Sequence, residues 1–175
     1  IVRLDVDEVA QLLDEVESGQ KLSSRQQMYH ERTKVRDLAI LTLLLGTGIR
    51  VSECVGLDIN DVDFKNNVIH IRRTLTKDKT GKMILGTTTK TYTSNRDIPI
   101  TSLFRNELKE SIRDMTLNIN NLIFTTPTGQ LIHTSTINTV FKRICANAGI
   151  NRKTYSKKKG NKIFTLYTST CNTHS

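Results

Sequence analysis

Between residues 6 and 17 the apolar side chains Val6, Val9, Leu12, Leu13 and Val16 recur at helical spacing, with Asp5 placed as an N-cap. The polar stretch Ser18 to Lys34, with Gly19 and Ser23-Ser24, reads as partly loop. Residues 35 to 45 are apolar almost all round, which predicts a core helix rather than a surface one. Gly46 and Gly48 stop it, and a second helix is expected from about Ile49 to Leu57. The period then changes. After the turn signal Asn66-Asn67, VIHIRRTL alternates and is β-branched, and Lys79 to Leu85 and Thr91 to Ile100 continue as extended segments. Pro99 falls at the end of the last strand, where a missing N–H matters least. Helices are expected over Ser102 to Met115 and 134 to 148, the latter with Ile137, Val140, Phe141, Ile144 and Cys145 on one face and Gly149 at C′. The segment LIFTT, 122 to 126, is short and extended, and PTGQ is a turn. The pattern predicts an α+β fold, mostly α-helical, with a small three-stranded antiparallel sheet.

The length of 175 residues suits one domain with a genuine core. The longest apolar-rich run, LAILTLLLG, is nine residues, well short of the roughly 18 of a membrane span. The opening IVRLDVDEVAQLLDEVE lacks the build of a signal peptide, and without an initiator Met it reads as an excised piece of a longer polypeptide. Cys54, Cys145 and Cys171 are widely spaced, and the first two sit among apolar residues as small hydrophobes. A reducing, cytoplasmic location is the expectation.

Charge changes the picture more. The net charge is +9, unevenly spread. Residues 1 to 17 hold six acids against Arg3, residues 72 to 96 hold seven bases against Asp78, and residues 152 to 162 hold six bases and no acid. Clustered positive charge points to a polyanion, most often nucleic acid, with a solvated basic face as the plain alternative.

The stretch LLLGTGIRVSECVGLDINDVD, Leu43 to Asp63, carries the candidate chemistry. It is no dinucleotide fingerprint, because Val51 stands where the third glycine belongs and no strand precedes it. There is no nucleotide P-loop and no G-x-S-x-G elbow. His30, His70, His133 and His174 lie far apart without metal-ligand spacing, so each reads as an ordinary surface or half-buried histidine and neither metal nor cofactor is expected. TGIRVSECVGLDINDVDF, Thr47 to Phe64, resembles the first arginine motif of the tyrosine recombinase (phage integrase) family, in the glycine, the arginine, the glutamate and the following leucine. TTTKTYTSNRDIPI, Thr87 to Ile100, looks like that family's lysine hairpin and its R-x-[IV]-P strand. LIFTTPTGQLIHTSTINTVFKRICANAGI is similar to a later family segment, so the likeness runs from residue 5 to about 166.

The resemblance implies site-specific integration or excision of DNA for a mobile element. A tyrosine attacks the scissile phosphate to give a 3′-phosphotyrosyl link, without a metal. Two arginines bind the nonbridging oxygens, a task that suits their charged fork and that is worth about 3–4 kcal/mol per donor in a dry site. Arg50 takes the first of these places, and Glu53, one turn on, would orient it through an ion pair. Lys90 takes the place of the general acid, with Lys77, Lys79 and Lys82 as competitors. Arg72, Arg73, Arg96, Lys157, Lys158 and Lys159 are expected to hold the backbone of double-stranded DNA.

After KIFTL, where many relatives continue as HSLRHTFAT, this chain has YTSTCNTHS. Two explanations stand open. Tyr167 occupies the usual histidine place and 167–175 is an aberrant or disordered tail, or His174-Ser175 begins the H-x-x-R motif. Either way the expectation is a partial catalytic domain over 1–175, without the upstream DNA-clamping domain and without a nucleophile among Tyr29, Tyr92, Tyr155 and Tyr167. Such a polypeptide is expected not to cleave DNA, while its parent would act as a tetramer. One rival is a non-catalytic DNA-binding relic of an integrase. A helix-turn-helix repressor is the other, and it leaves the Lys90 hairpin without a role.

Overall fold

The computed structural model describes residues 4–86 and 95–150, together with the backbone of 152–154 and 167–169. The first helix, α1 (Val6–Ser18), starts where expected. Glu8 N–H donates to the Asp5 carboxylate at 2.8 Å and Asp5 N–H to the Glu8 carboxylate at 3.0 Å, a reciprocal cap. Its buried residues, Leu12 and Val16, join Leu41, Ile144, Cys145 and Ile150 in a small core of their own.

The polar stretch that follows contains a helix the apolar pattern did not show, α2 (Ser24–Glu31). SRQQMYHE has no apolar stripe. Reciprocal capping by Ser23 and Gln26 starts this helix, and the side chain it buries is His30. The expectation of a surface or half-buried histidine is therefore corrected at this position. Thr33 follows, and α3 (Lys34–Thr47) is the near-continuous apolar helix foreseen. Its composition has a tertiary cause, because α3 serves two cores. Leu41 faces the α1 cluster, while Ala39, Ile40 and Leu43 face the larger cluster.

The larger core lies between α3, the short helix α4 (Val51–Cys54), a sheet, and α5 (Ser102–Arg113). The helix expected to reach Leu57 stops at Cys54. Gly56 N–H bonds Glu53 O and Leu57 N–H bonds Cys54 O, so the winding tightens to three-residue bonds. A 3-10 turn over Ile59–Asp61 leads into β1 (Val62–Asp63). The chain then forms β2 (Val68–Ile71), β3 (Leu75–Lys77), β4 (Met83–Leu85) and β5 (Arg96–Pro99).

A three-stranded antiparallel sheet is present, but its membership differs from the expected one. Its order is β1-β2-β5, while β3 and β4 form a separate two-stranded ribbon. Asp78 accounts for the ribbon's turn, its carboxylate accepting from the N–H groups of Thr80 and Lys82. Ile69 and Ile71 of β2 are buried and pair with Ile98 and Arg96 of β5. Arg96 thus leaves the sheet on its core-facing side, beside α4.

Residues 122–126 make isolated bridges rather than a strand, Asp58 to Leu122 and Thr125 to Leu131. The last helix, α6 (Thr134–Asn147), ends as predicted, with Gly149 at φ 78°. Beyond it the backbone of β6 (Arg152–Thr154) pairs antiparallel with that of β7 (Tyr167–Ser169). Cys54 and Cys145 are buried outside any disulfide, and burial pushes the Cys54 thiol well above its ordinary range, so it packs as a hydrophobe. Among the described residues no helix is long and apolar enough to cross a membrane.

Candidate nucleic-acid interface

The apolar helix α3 ends by placing Arg50. Gly48 adopts φ 65° and its N–H caps Leu44 O, turning the chain out of the helix. A Cβ there would meet nothing within 4 Å, so the space above this turn is open. Two residues earlier the opposite holds. A Cβ on Gly46 would lie 3.2 Å from Phe104 Cδ1, because α3 and α5 pack closely there. Gly48→Ala is therefore expected to cost about 1 kcal/mol, from left-handed backbone strain alone. A thermal melt within 1 °C of the parent's would rule out that strain.

From this turn Arg50 caps α4, and Glu53 follows one turn later. The Glu53 side chain is 4% exposed and that of Arg50 61%. Arg50 N–H donates to Glu53 Oε2 at 3.0 Å and Arg50 Nη1 to Oε1 at 3.0 Å. A second arginine arrives from β5. Arg96 Nη1 donates to Oε1 at 3.1 Å and Nη2 to Oε2 at 2.8 Å, a two-pronged fork. The four acceptor sites of one buried carboxylate are all taken. Burial alone would raise the Glu53 carboxyl, but the bonds from Arg96 and from the backbone and side chain of Arg50 outweigh it and hold it below the usual range. Glu53 in turn raises Arg96, against its partial burial.

The structure thus brings together Arg50, Glu53 and Arg96. It separates Arg73 from them. Arg73 Nη2 is shared by Asp58, in a close contact, and Asp61, at 3.2 Å. Both carboxylates are buried and cap the 3-10 turn after Leu57, Asp58 Oδ1 accepting from Asn60 N–H and Asp61 Oδ2 from Asp58 N–H. Arg73 and Arg96, both expected to hold DNA, are thus engaged by carboxylates of their own chain. Arg72 is exposed. Lys90, Lys157, Lys158, Lys159 and His174 lie outside the described residues. Sequence reading missed the Arg96–Glu53 fork and the Asp58–Arg73–Asp61 cluster. The one available signal was that Arg73 and Arg96 each lie inside an expected extended segment, where alternate side chains face the core. Among the described residues no three His, Cys, Asp or Glu side chains converge as metal ligands.

The model of the phage integrase family matches residues 2–159. The chain belongs to that family. A 69-residue stretch is 46% identical to the tyrosine recombinase XerS of Streptococcus uberis and 45% identical to that of Streptococcus thermophilus. Each match covers 38% of this chain and 19% of the relative, so the likeness spans about a fifth of those proteins. Among solved structures, the fold is similar to the Tn1549 transposon integrase in complex with circular intermediate DNA. That match has a TM-score of 0.66 at 21% identity, covering 85% of this chain and 46% of that one. The XerA recombinase superposes with a TM-score of 0.61 at 22% identity, over 87% of this chain and 45% of that one. This chain, about half helical with a small antiparallel sheet, shares its fold with these two solved structures.

Proposed function

We propose that this chain is the arginine-bearing part of a recombinase catalytic domain, and that Arg50 binds a phosphate of double-stranded DNA. One observation carries this reading. Arg50 is a largely exposed guanidinium whose base is fixed by a buried carboxylate, at the mouth of an open glycine turn, in a segment that resembles the family's arginine motif. A fixed and exposed fork loses little freedom on binding, and its planar donors fit two phosphate oxygens. In the complete protein the same fork would hold the scissile phosphate while a tyrosine attacks it, with Lys90 protonating the departing 5′ oxygen. That activity fits a mobile element that integrates or excises DNA. The complex of the Tn1549 integrase with circular intermediate DNA supports DNA as the partner. Arg72 and Lys157 to Lys159 are proposed to hold the backbone beside the site, and a tetramer on DNA is proposed for the complete protein.

The test is fluorescence anisotropy of this chain on a labelled random-sequence duplex across a salt series. Non-specific affinity near 10⁻⁴–10⁻⁶ M is expected at physiological salt. Arg50→Ala is expected to weaken binding and to make the logarithmic salt slope shallower by about one. An unchanged slope and affinity would remove Arg50 from the DNA surface.

A further inference from the structure

We infer that Arg96 is a positioning residue for Arg50, acting through charge: it neutralises Glu53 so that the Arg50 charge is left for the DNA phosphate. The inference rests on the reading of Arg50 just given and assigns Arg96 a task other than touching DNA. The cluster holds two guanidinium charges and one carboxylate charge. Their division is unequal. Arg96 meets Glu53 with both terminal nitrogens, at 2.8 and 3.1 Å, whereas Arg50 reaches it through Nη1 alone, at 3.0 Å. Exposure follows the same order, 36% for the Arg96 side chain and 61% for that of Arg50. The better-buried fork balances the carboxylate, and the second charge stays at the surface.

Without Arg96 the balance changes sign of use. Glu53 is held in place by its backbone bond from Arg50 N–H, so a buried carboxylate would remain with Arg50 as its counter-ion. The Arg50 fork would then close on Glu53, and the cluster would present no net charge to a phosphate. Arg96 is well suited to prevent this. It sits on a strand locked in register, Arg96 opposite Ile71, and its direction is fixed by the sheet rather than by a loop. This arrangement also explains why Glu53 can be so close to an anion-binding arginine without cancelling it.

The experiment measures affinity of the full chain for the labelled duplex at low salt, with circular dichroism to confirm the fold of each variant. Arg96→Gln is expected to weaken binding roughly three- to tenfold, the effect of losing one phosphate-facing charge. Adding Glu53→Gln to Arg96→Gln removes the stranded carboxylate and is expected to restore affinity to within about twofold of the parent. Arg96→Lys keeps the charge but not the fork, and is expected to bind within about twofold. If the double variant stays as weak as Arg96→Gln, Arg96 touches DNA itself or only shapes the fold, and the inference is overturned. Parent-like binding by Arg96→Gln overturns it as well. Should Arg96→Gln fail to fold, Arg96→Lys decides, a loss as large as that of Arg50→Ala being the contrary result. Failure of the underlying reading is separate, since it shows as parent-like binding by Arg50→Ala itself.

Discussion

Glu53→Ala is expected to lower the stability of the domain by about 3–5 kcal/mol, the range seen when one partner of a buried ion pair is removed. The Glu53 side chain is 4% exposed and accepts four hydrogen bonds, two from the Arg96 fork and two from Arg50. Alanine leaves the Arg96 guanidinium, only partly exposed, without its counter-charge and the Arg50 N–H, at the cap of α4, without its acceptor. Urea unfolding reads the loss directly. A change under about 1 kcal/mol would mean that the cluster is a solvated surface feature. The same carboxylate predicts a pH dependence. Its folded-state pKa lies below the ordinary glutamate value of 4.5, so the unfolded chain binds the proton first as pH falls. The contribution of Glu53 is whole above 4.5 and is lost as pH drops through the lower folded-state value. Glu53→Gln is expected to flatten that part of the stability curve, because its side chain no longer titrates.

Arg73→Ala is the second large effect, again about 3–5 kcal/mol of stability rather than a loss of DNA contact. Asp61 and Asp58 are 1% and 8% exposed at their side chains, and Arg73 Nη2 bridges them. Asp61 Oδ1 has no hydrogen-bond partner already, so the pair depends heavily on this one cation. Alanine would leave two buried carboxylates facing each other at the turn that leads from α4 into the sheet. Arg73→Lys keeps one charge and is expected to fall between parent and alanine. The check is urea unfolding paired with a salt series on the duplex. Near-parent stability with a salt slope reduced by about one would instead make Arg73 a DNA contact.

The two arginines show where sequence reading ends. Arg72 and Arg73 are adjacent and chemically alike, and spacing alone treats them as one basic patch. The strand before them alternates, so consecutive side chains face opposite ways, and Arg73 meets Asp58 fifteen residues earlier in the chain. Arg96 and Glu53 are 43 residues apart, and their meeting depends on β5 pairing with β2 in one register. The same limit explains the sheet. Short extended segments were visible, but pairing is a long-range choice, and β3 and β4 pair with each other instead of joining β1, β2 and β5. It also explains α2, whose helix rests on a cap and a buried histidine rather than on an apolar stripe.

What the sequence determined by itself is local. The 3.6-residue period placed α1 and α6, an apolar run placed α3, Gly48 marked its end, and the Thr47-to-Phe64 motif pointed to the family. These follow from backbone preferences and spacings that act over a few residues. The tertiary structure decided which cations are free. A guanidinium takes the nearest desolvated carboxylate, and nearness across 15 or 43 residues is set by packing, not by the text of the chain.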